Sequence, residues 1–213
     1  MTDDIIPMPK HPDPHPHPDQ QLHSHPPPDP LPLPRSTWVE IDLDQLGRNI
    51  AALREYVGPG VGLAPVVKAD AYGHGAVVIA GELERIGVGM GVEMIAVAMV
   101  SEALELRRHG IRAPILVMGH TENEYLELAV GADIYITLFE YEQAALLSRE
   151  AGKQGRVAKV HIKVDTGFHR LGQEPSDAFA DEIARMKALP HLDLEGIFSH
   201  LRLADRETDA RQF

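Results

Sequence analysis

From Ser36 onward the chain alternates short apolar runs with amphipathic helical stretches, and this rhythm restricts its fold more than any other feature. Candidate strands are Trp38 to Leu43, Ala64 to Lys68, Met94 to Val100, Ile115 to Met118, Ile134 to Leu138, Val157 to Val164 and Leu194 to Ser199. Between them the spacing predicts helices over Asp44 to Tyr56, Ala76 to Ile86, Ser101 to His109, Asn123 to Val130, Glu140 to Ala151 and Asp177 to Ala188. Start and stop signals support several of these: Asp44 as a cap, Ser101 followed by Glu102, and Gly110 or Gly152 at the ends. Most of the strands are apolar nearly throughout, as expected of a parallel sheet covered on both faces. Trp38 to Leu43 differs, because its V-E-I-D-L alternation reads as half exposed. Regular strand-helix alternation leaves two architectures, a doubly wound sheet or a (β/α)8 barrel. Six buried strands are two short of a closed barrel, so the pattern alone leaves both open.

The stretch from Pro7 to Pro34 has another texture, dominated by proline, histidine, aspartate and leucine. It offers little apolar surface to pack, so residues 1–35 are expected to form a disordered or polyproline-like extension and residues 36–213 the folded part. His11, His15, His17, His23 and His25 form a biased run without defined ligand geometry, and no metal site is expected. The chain has 213 residues, a formal net charge of −12 and no cysteine. That charge disfavours nucleic acid and anionic lipid as partners, and the missing thiols exclude disulfides, thiolate metal sites and cysteine nucleophiles. The acidic start M-T-D-D lacks the look of a secretory signal, and no segment approaches the ~20 apolar residues of a membrane span, so a cytoplasmic location is expected.

In parallel α/β folds, functional groups gather beyond the carboxyl ends of the strands. V-V-K-A-D-A-Y-G-H-G, residues 66–75, puts Lys68 at such an end. A partly desolvated amine there can act as a base or form a Schiff base. Tyr72 lies on the following turn, where Gly73 and Gly75 would let backbone approach a ligand. The same pattern also suits a lysine snorkelling from a strand end. In H-I-K-V-D-T-G-F-H-R-L-G, residues 161–172, Lys163 and Asp165 are expected on one strand face, with Arg170 past the Gly167 turn. Arginine suits a carboxylate or phenolate held in a fixed plane, and a charged mid-strand lysine needs a partner or a modification. G-I-F-S-H ends in His200, again at a strand end.

Together these segments resemble the alanine racemase family, pyridoxal-phosphate enzymes that interconvert L- and D-alanine. The resemblance runs from about Ser36 to Phe213 through W-V-E-I-D-L, V-V-K-A-D-A-Y-G-H-G, A-V-A-x-V-x-E-A-L-E-L-R, P-I-L-V-M-G, K-V-D-T-G-F-H-R-L-G and E-G-I-F-S-H-L-x-x-A-D. It implies that Lys68 forms the internal aldimine and is one of two bases at the substrate α-carbon. Tyr72 would bind the cofactor phosphate. Arg170 would contact the cofactor's phenolic oxygen and the substrate carboxylate. Lys163 would carry a carbamate that pairs with Arg170, and His200 would sit beside the cofactor ring. Phe168 stands where methionine is more usual, and Arg202 replaces a small residue.

The fold implied is a partial TIM-type (β/α)8 barrel of about six strands, without the mostly β carboxyl-terminal domain, and Trp38 to Leu43 would belong with that second domain. The activity implied is alanine racemisation that supplies D-alanine for peptidoglycan, in a cytoplasmic homodimer with two-subunit active sites. On this reading the polypeptide lacks strands seven and eight and the opposite-face tyrosine, and is expected to be inactive alone and aggregation-prone. Two alternatives are a non-catalytic pyridoxal-phosphate-binding module and a serine or broad-spectrum racemase. A third is an interaction or metal-buffering role for the His-Pro stretch.

Overall fold

The computed structural model describes residues 38–202, so the His-Pro stretch and the segment beyond Arg202 lie outside the described residues. The chain divides between Glu40 and Ile41, and the architecture below is that of the second part.

Three helices come first, and parallel strands and helices alternate from β1 onward: α1 (Leu43–Val57), α2 (Lys68–Gly73), α3 (Ala76–Met90), β1 (Ile95–Val97), α4 (Val100–Arg108), β2 (Ile115–Val117), α5 (Leu126–Gly131), β3 (Tyr135–Leu138), α6 (Tyr141–Lys153), β4 (Ala158–Lys163), α7 (Asp177–Lys187) and β5 (Leu192–Phe198). A 3-10 turn at Asn123–Tyr125 precedes α5. The sheet order is β1-β2-β3-β4-β5 and every pairing is parallel. A doubly wound sheet must reverse its strand order at a switch point, whereas a barrel adds each strand beside the last. The sequential order therefore decides between the two architectures: this is an arc of a (β/α)8-type barrel.

The expected strand at Ala64 to Lys68 survives only as isolated parallel bridges, Leu63 to Val92 and Val66 to Ala96. Pro65 explains this. Its carbonyl accepts from the Ala96 amide at 2.9 Å, but proline has no N–H to extend the ladder.

The expected strand at Trp38 to Leu43 is absent, since residues 38–42 join no ladder and Leu43 opens α1. Asp42, not Asp44, is the cap: its side chain accepts from the Gln45 amide at 2.8 Å, while Asp44 sits in the first turn near the positive end of the helix dipole. Ser101 likewise falls inside α4, whose cap is Met99. Gly152 lies within α6, and the positive-φ glycine past that helix is Gly155.

Side chains on one sheet face join the helices in a single apolar core, which includes Ile95, Val117, Ile136, Leu138, Val160 and Ile162 with Leu83, Leu106, Leu147 and Met186. Burying each such side chain is worth about 1.5–3 kcal/mol. Alternate positions, Ala96, Leu116, Tyr135, Thr137, Lys159, His161 and Lys163, lie on the opposite face, the inner wall of the arc. A bulge shifts the register there: Val160 pairs with Leu194 but His161 pairs with Gly196, so Glu195 is the extra residue. Glycine leaves room for the imidazole there: a Cβ on Gly196 would lie 2.9 Å from His161 Cε1 and would require the ring to shift. The shift sets Phe198 opposite Lys163. Contrary to the expectation of two covered faces, β5 alternates between half-buried and exposed residues, as befits the edge of the described sheet. No described helix is long and apolar enough to cross a membrane.

Candidate active site

The carboxyl ends of the strands enclose a cleft of about 340 Å³ whose lining includes Lys68, Tyr72, Lys163, Arg170 and His200, the five residues singled out in the sequence. Met118, Gly119, Phe198 and Ser199 complete much of the wall. Among the described residues, three cationic side chains line the cleft and no carboxylate does. In a chain of net charge −12 this is a local reversal, and it makes the cleft a site for an anion.

Lys68 ends the bridged segment and is half-buried, and its ammonium lies 5.8 Å from the centre of the Tyr72 ring. The link between them, α2, is left-handed: Ala69, Asp70, Ala71 and Tyr72 have φ of 51°, 54°, 52° and 56°. Each non-glycine residue costs about 1–2 kcal/mol in this conformation, so the turn stores about 4–8 kcal/mol. Hydrogen bonds hold it. The Ala71 amide donates to Val67 O at 2.9 Å, Gly75 N to Asp70 O at 2.9 Å, and Ala76 N to the Asp70 side chain at 2.6 Å. At its start the Ala69 amide donates to Glu102 Oε1 at 2.7 Å. Gly73 and Gly75 do not line the cleft. With φ of 87° and 89° they turn the chain into α3. The glycine that brings bare backbone to the cleft is Gly119, where a Cβ would lie 2.4 Å from the Ala98 carbonyl oxygen.

Lys163 is 6% exposed, and its Nζ donates to Val164 O at 3.0 Å. Burial pushes its pKa below 10.5; Asp165 opposes this, and the smaller effect of the Arg170 charge adds to it. No ion pair joins Lys163 to any described residue. Asp165 does not share a strand face with it, because β4 ends at Lys163. Asp165 Oδ1 instead accepts from the amides of Gly167, Phe168 and His169 at 2.9, 3.0 and 3.0 Å. Those bonds, the one from His169 foremost, hold its pKa below 3.8. The carboxylate thus shapes the loop that presents Phe168 and Arg170.

Arg170 stacks on the Phe168 ring at 4.6 Å, and the same ring meets His200 edge-on with centroids 4.6 Å apart. Partial burial, then the charges of Arg170, Lys163 and Lys68, push the His200 pKa below 6.5 and favour its neutral form.

Residues 41–213 match the family described as the alanine racemase N-terminal domain. The chain belongs to the alanine racemase family. An alanine racemase from Clostridium tetani is 43% identical over 173 residues, which cover 81% of this chain and 43% of the relative. The solved alanine racemase of Clostridium difficile superposes with a TM-score of 0.80 at 36% identity, covering 85% of this chain and 46% of that one. A histidine racemase from Leuconostoc mesenteroides also superposes, at TM-score 0.71 and 25% identity over 80% of this chain and 44% of its own. The chain thus spans less than half the length of these relatives.

Within this alanine racemase portion, Glu102 and Phe168 had visible signals in the sequence, the glutamate of A-x-V-x-E and the aromatic before H-R-L-G. Neither signal told what the side chain touches. The two-residue approach of Gly119 to Ala98 had none.

Proposed function

We propose that the cleft holds pyridoxal 5'-phosphate and that the protein is an alanine racemase, interconverting L- and D-alanine. The observation that carries this reading is the convergence of Lys68, Tyr72, Lys163, Arg170 and His200 on one cleft, lined among the described residues by three cations and no carboxylate. That donor set fits a phosphorylated, phenolic cofactor and an amino-acid carboxylate.

When bound, the cofactor supplies an electron sink for the charge left on the substrate α-carbon. Lys68 would hold it covalently, and its amine, set free once the substrate amine has taken that place, would take and return the α-proton on one face. The Tyr72 hydroxyl would hold the phosphate. Arg170, braced by the Phe168 ring, would hold the phenolic oxygen and the substrate carboxylate. His200 would stand beside the ring with its neutral form favoured. Lys163, with its depressed pKa, reacts as the free amine: its lone pair adds to carbon dioxide and a proton leaves, giving a carbamate. Repulsion between Lys163 and Arg170 then becomes attraction.

The relatives named alanine racemase support alanine as the substrate, with serine or a broader range of amino acids as the alternatives. Tyr72 is the one tyrosine lining the cleft among the described residues, and it stands beside Lys68. The described residues therefore supply one of the two bases that inversion requires. The reading extends to a cytoplasmic homodimer that supplies D-alanine for peptidoglycan, with residues 1–35 as an extension outside the barrel portion.

Incubation with pyridoxal phosphate and L-alanine in deuterated water tests this. The 213-residue chain is expected to exchange the α-hydrogen faster for alanine than for serine, with little inversion. Absence of exchange with every amino acid contradicts the reading, and rapid inversion by this chain contradicts the single-base account.

A further inference from the structure

One carboxylate outside the cleft collects three backbone amides at its rim. Glu102, in the first turn of α4, accepts from Ala69 N through Oε1 at 2.7 Å and from Ala98 N and Met99 N through Oε2 at 2.8 and 2.9 Å. Ala69 directly follows Lys68 and is the first left-handed residue of α2. Ala98 lines the cleft, one residue past the end of β1. A single side chain thus ties the end of one inner-wall segment to the end of the next, at the point where the chain enters its strained turn.

We infer that Glu102 is the positioning residue for Lys68: its carboxylate holds the left-handed turn and so fixes where the amine projects into the cleft. An ionised carboxylate suits this task because both oxygens accept and neither donates. Glutamine keeps one accepting oxygen and places an NH2 against amide donors. Glu102 forms no ion pair with any described cation, so it acts through backbone geometry and not by neutralising Lys68. The inference rests on Lys68 being the reactive amine.

The test compares the full 213-residue chain with E102Q, E102A and the control E105A, which removes an exposed carboxylate from the same helix. Three quantities are measured: hydrogen exchange at the Ala69, Ala98 and Met99 amides, the rate at which Lys68 is labelled by trinitrobenzenesulfonate, and the dissociation constant of its imine with pyridoxal phosphate. E102A is expected to speed exchange at the three amides and to weaken imine formation at least tenfold. E102Q should fall between, and E105A should match the parent. Lys68 labelling should change in E102A while labelling of Lys159 does not. Imine affinity and Lys68 labelling within twofold of the parent in a folded E102A or E102Q chain overturns the inference. Loss of fold in both variants also overturns it, by making Glu102 a folding element. If the parent chain forms no imine, the cofactor reading fails, and amide exchange with Lys68 labelling still decides the role of Glu102.

Discussion

Lys159 and Lys163 stand on the same inner face of β4, four residues apart, and their surroundings are opposite in kind. Lys159 lies 3.4 Å from Asp133 and 5.1 Å from the centre of the Tyr135 ring. Burial pulls its pKa down, but Asp133, Tyr135 and Glu195 outweigh that pull and hold it above 10.5. At Lys163 burial wins, Arg170 adds to it, and the pKa falls below 10.5. The amino end of the inner wall is balanced within itself. At the carboxyl end the cations of the cleft form no ion pair with any described carboxylate, an arrangement costly by itself and useful where an anionic ligand completes it.

Substitutions at the two ends should therefore differ in kind. Lys68→Ala carries the largest expected effect, loss of the cofactor imine and a roughly 10²–10⁴-fold fall in α-hydrogen exchange, measured by mass spectrometry, whereas Lys159→Ala leaves both unchanged. Equal losses in the two variants would erase the contrast. Arg170→Lys keeps the charge but loses the planar fork. Alanine should then bind about tenfold more weakly in an exchange titration, near 1.4 kcal/mol.

Smaller effects sharpen the comparison through stability. With carbon dioxide excluded, so that Lys163 stays an ammonium, Lys163→Met should stabilise the protein by about 1 kcal/mol in urea denaturation by removing a buried charge that pairs with no described carboxylate. Lys159→Met should destabilise it by less than about 1 kcal/mol, since a partly exposed pair contributes little. The pH dependence has opposite signs. The folded pKa of Lys163 lies below its unfolded value, so its penalty is full below the folded pKa and fades as pH rises from there towards 10.5. The advantage of Lys163→Met should shrink over that window. Lys159 has a raised folded pKa, so its contribution is full below 10.5 and is lost as pH climbs through the folded value. The smallest effect concerns His200. An NMR titration should find its midpoint below 6.5, moving up towards that value when Arg170 is replaced by a neutral residue.

Local pattern carried much of this into the sequence. Apolar runs marked β1 to β5, and amphipathic spacing marked every long helix, because burial on one or two faces leaves a direct imprint on residue order. Motifs at strand ends brought out Lys68, Arg170 and His200 because barrel topology gathers such ends on one rim. What was illegible depends on contacts between distant segments. Nothing in A-D-A-Y announces four left-handed residues, since none is glycine and the clamp arrives from Glu102, 33 residues away. Asp165 read as a strand residue because period two holds up to the strand end, and only the loop amides that turn back to it show otherwise. Trp38 to Leu43 alternated like a strand but has no neighbour to pair with among the described residues, so Asp42 caps a helix there.

The account rests on Lys68 being the amine that meets the cofactor, and borohydride reduction tests it most directly. The chain is incubated with limiting pyridoxal phosphate, reduced, digested and mapped by mass spectrometry. The account predicts a single pyridoxyl group, on Lys68, with Lys159 and Lys163 unmodified. A label on Lys163, on Lys159, or spread over the surface lysines would contradict it.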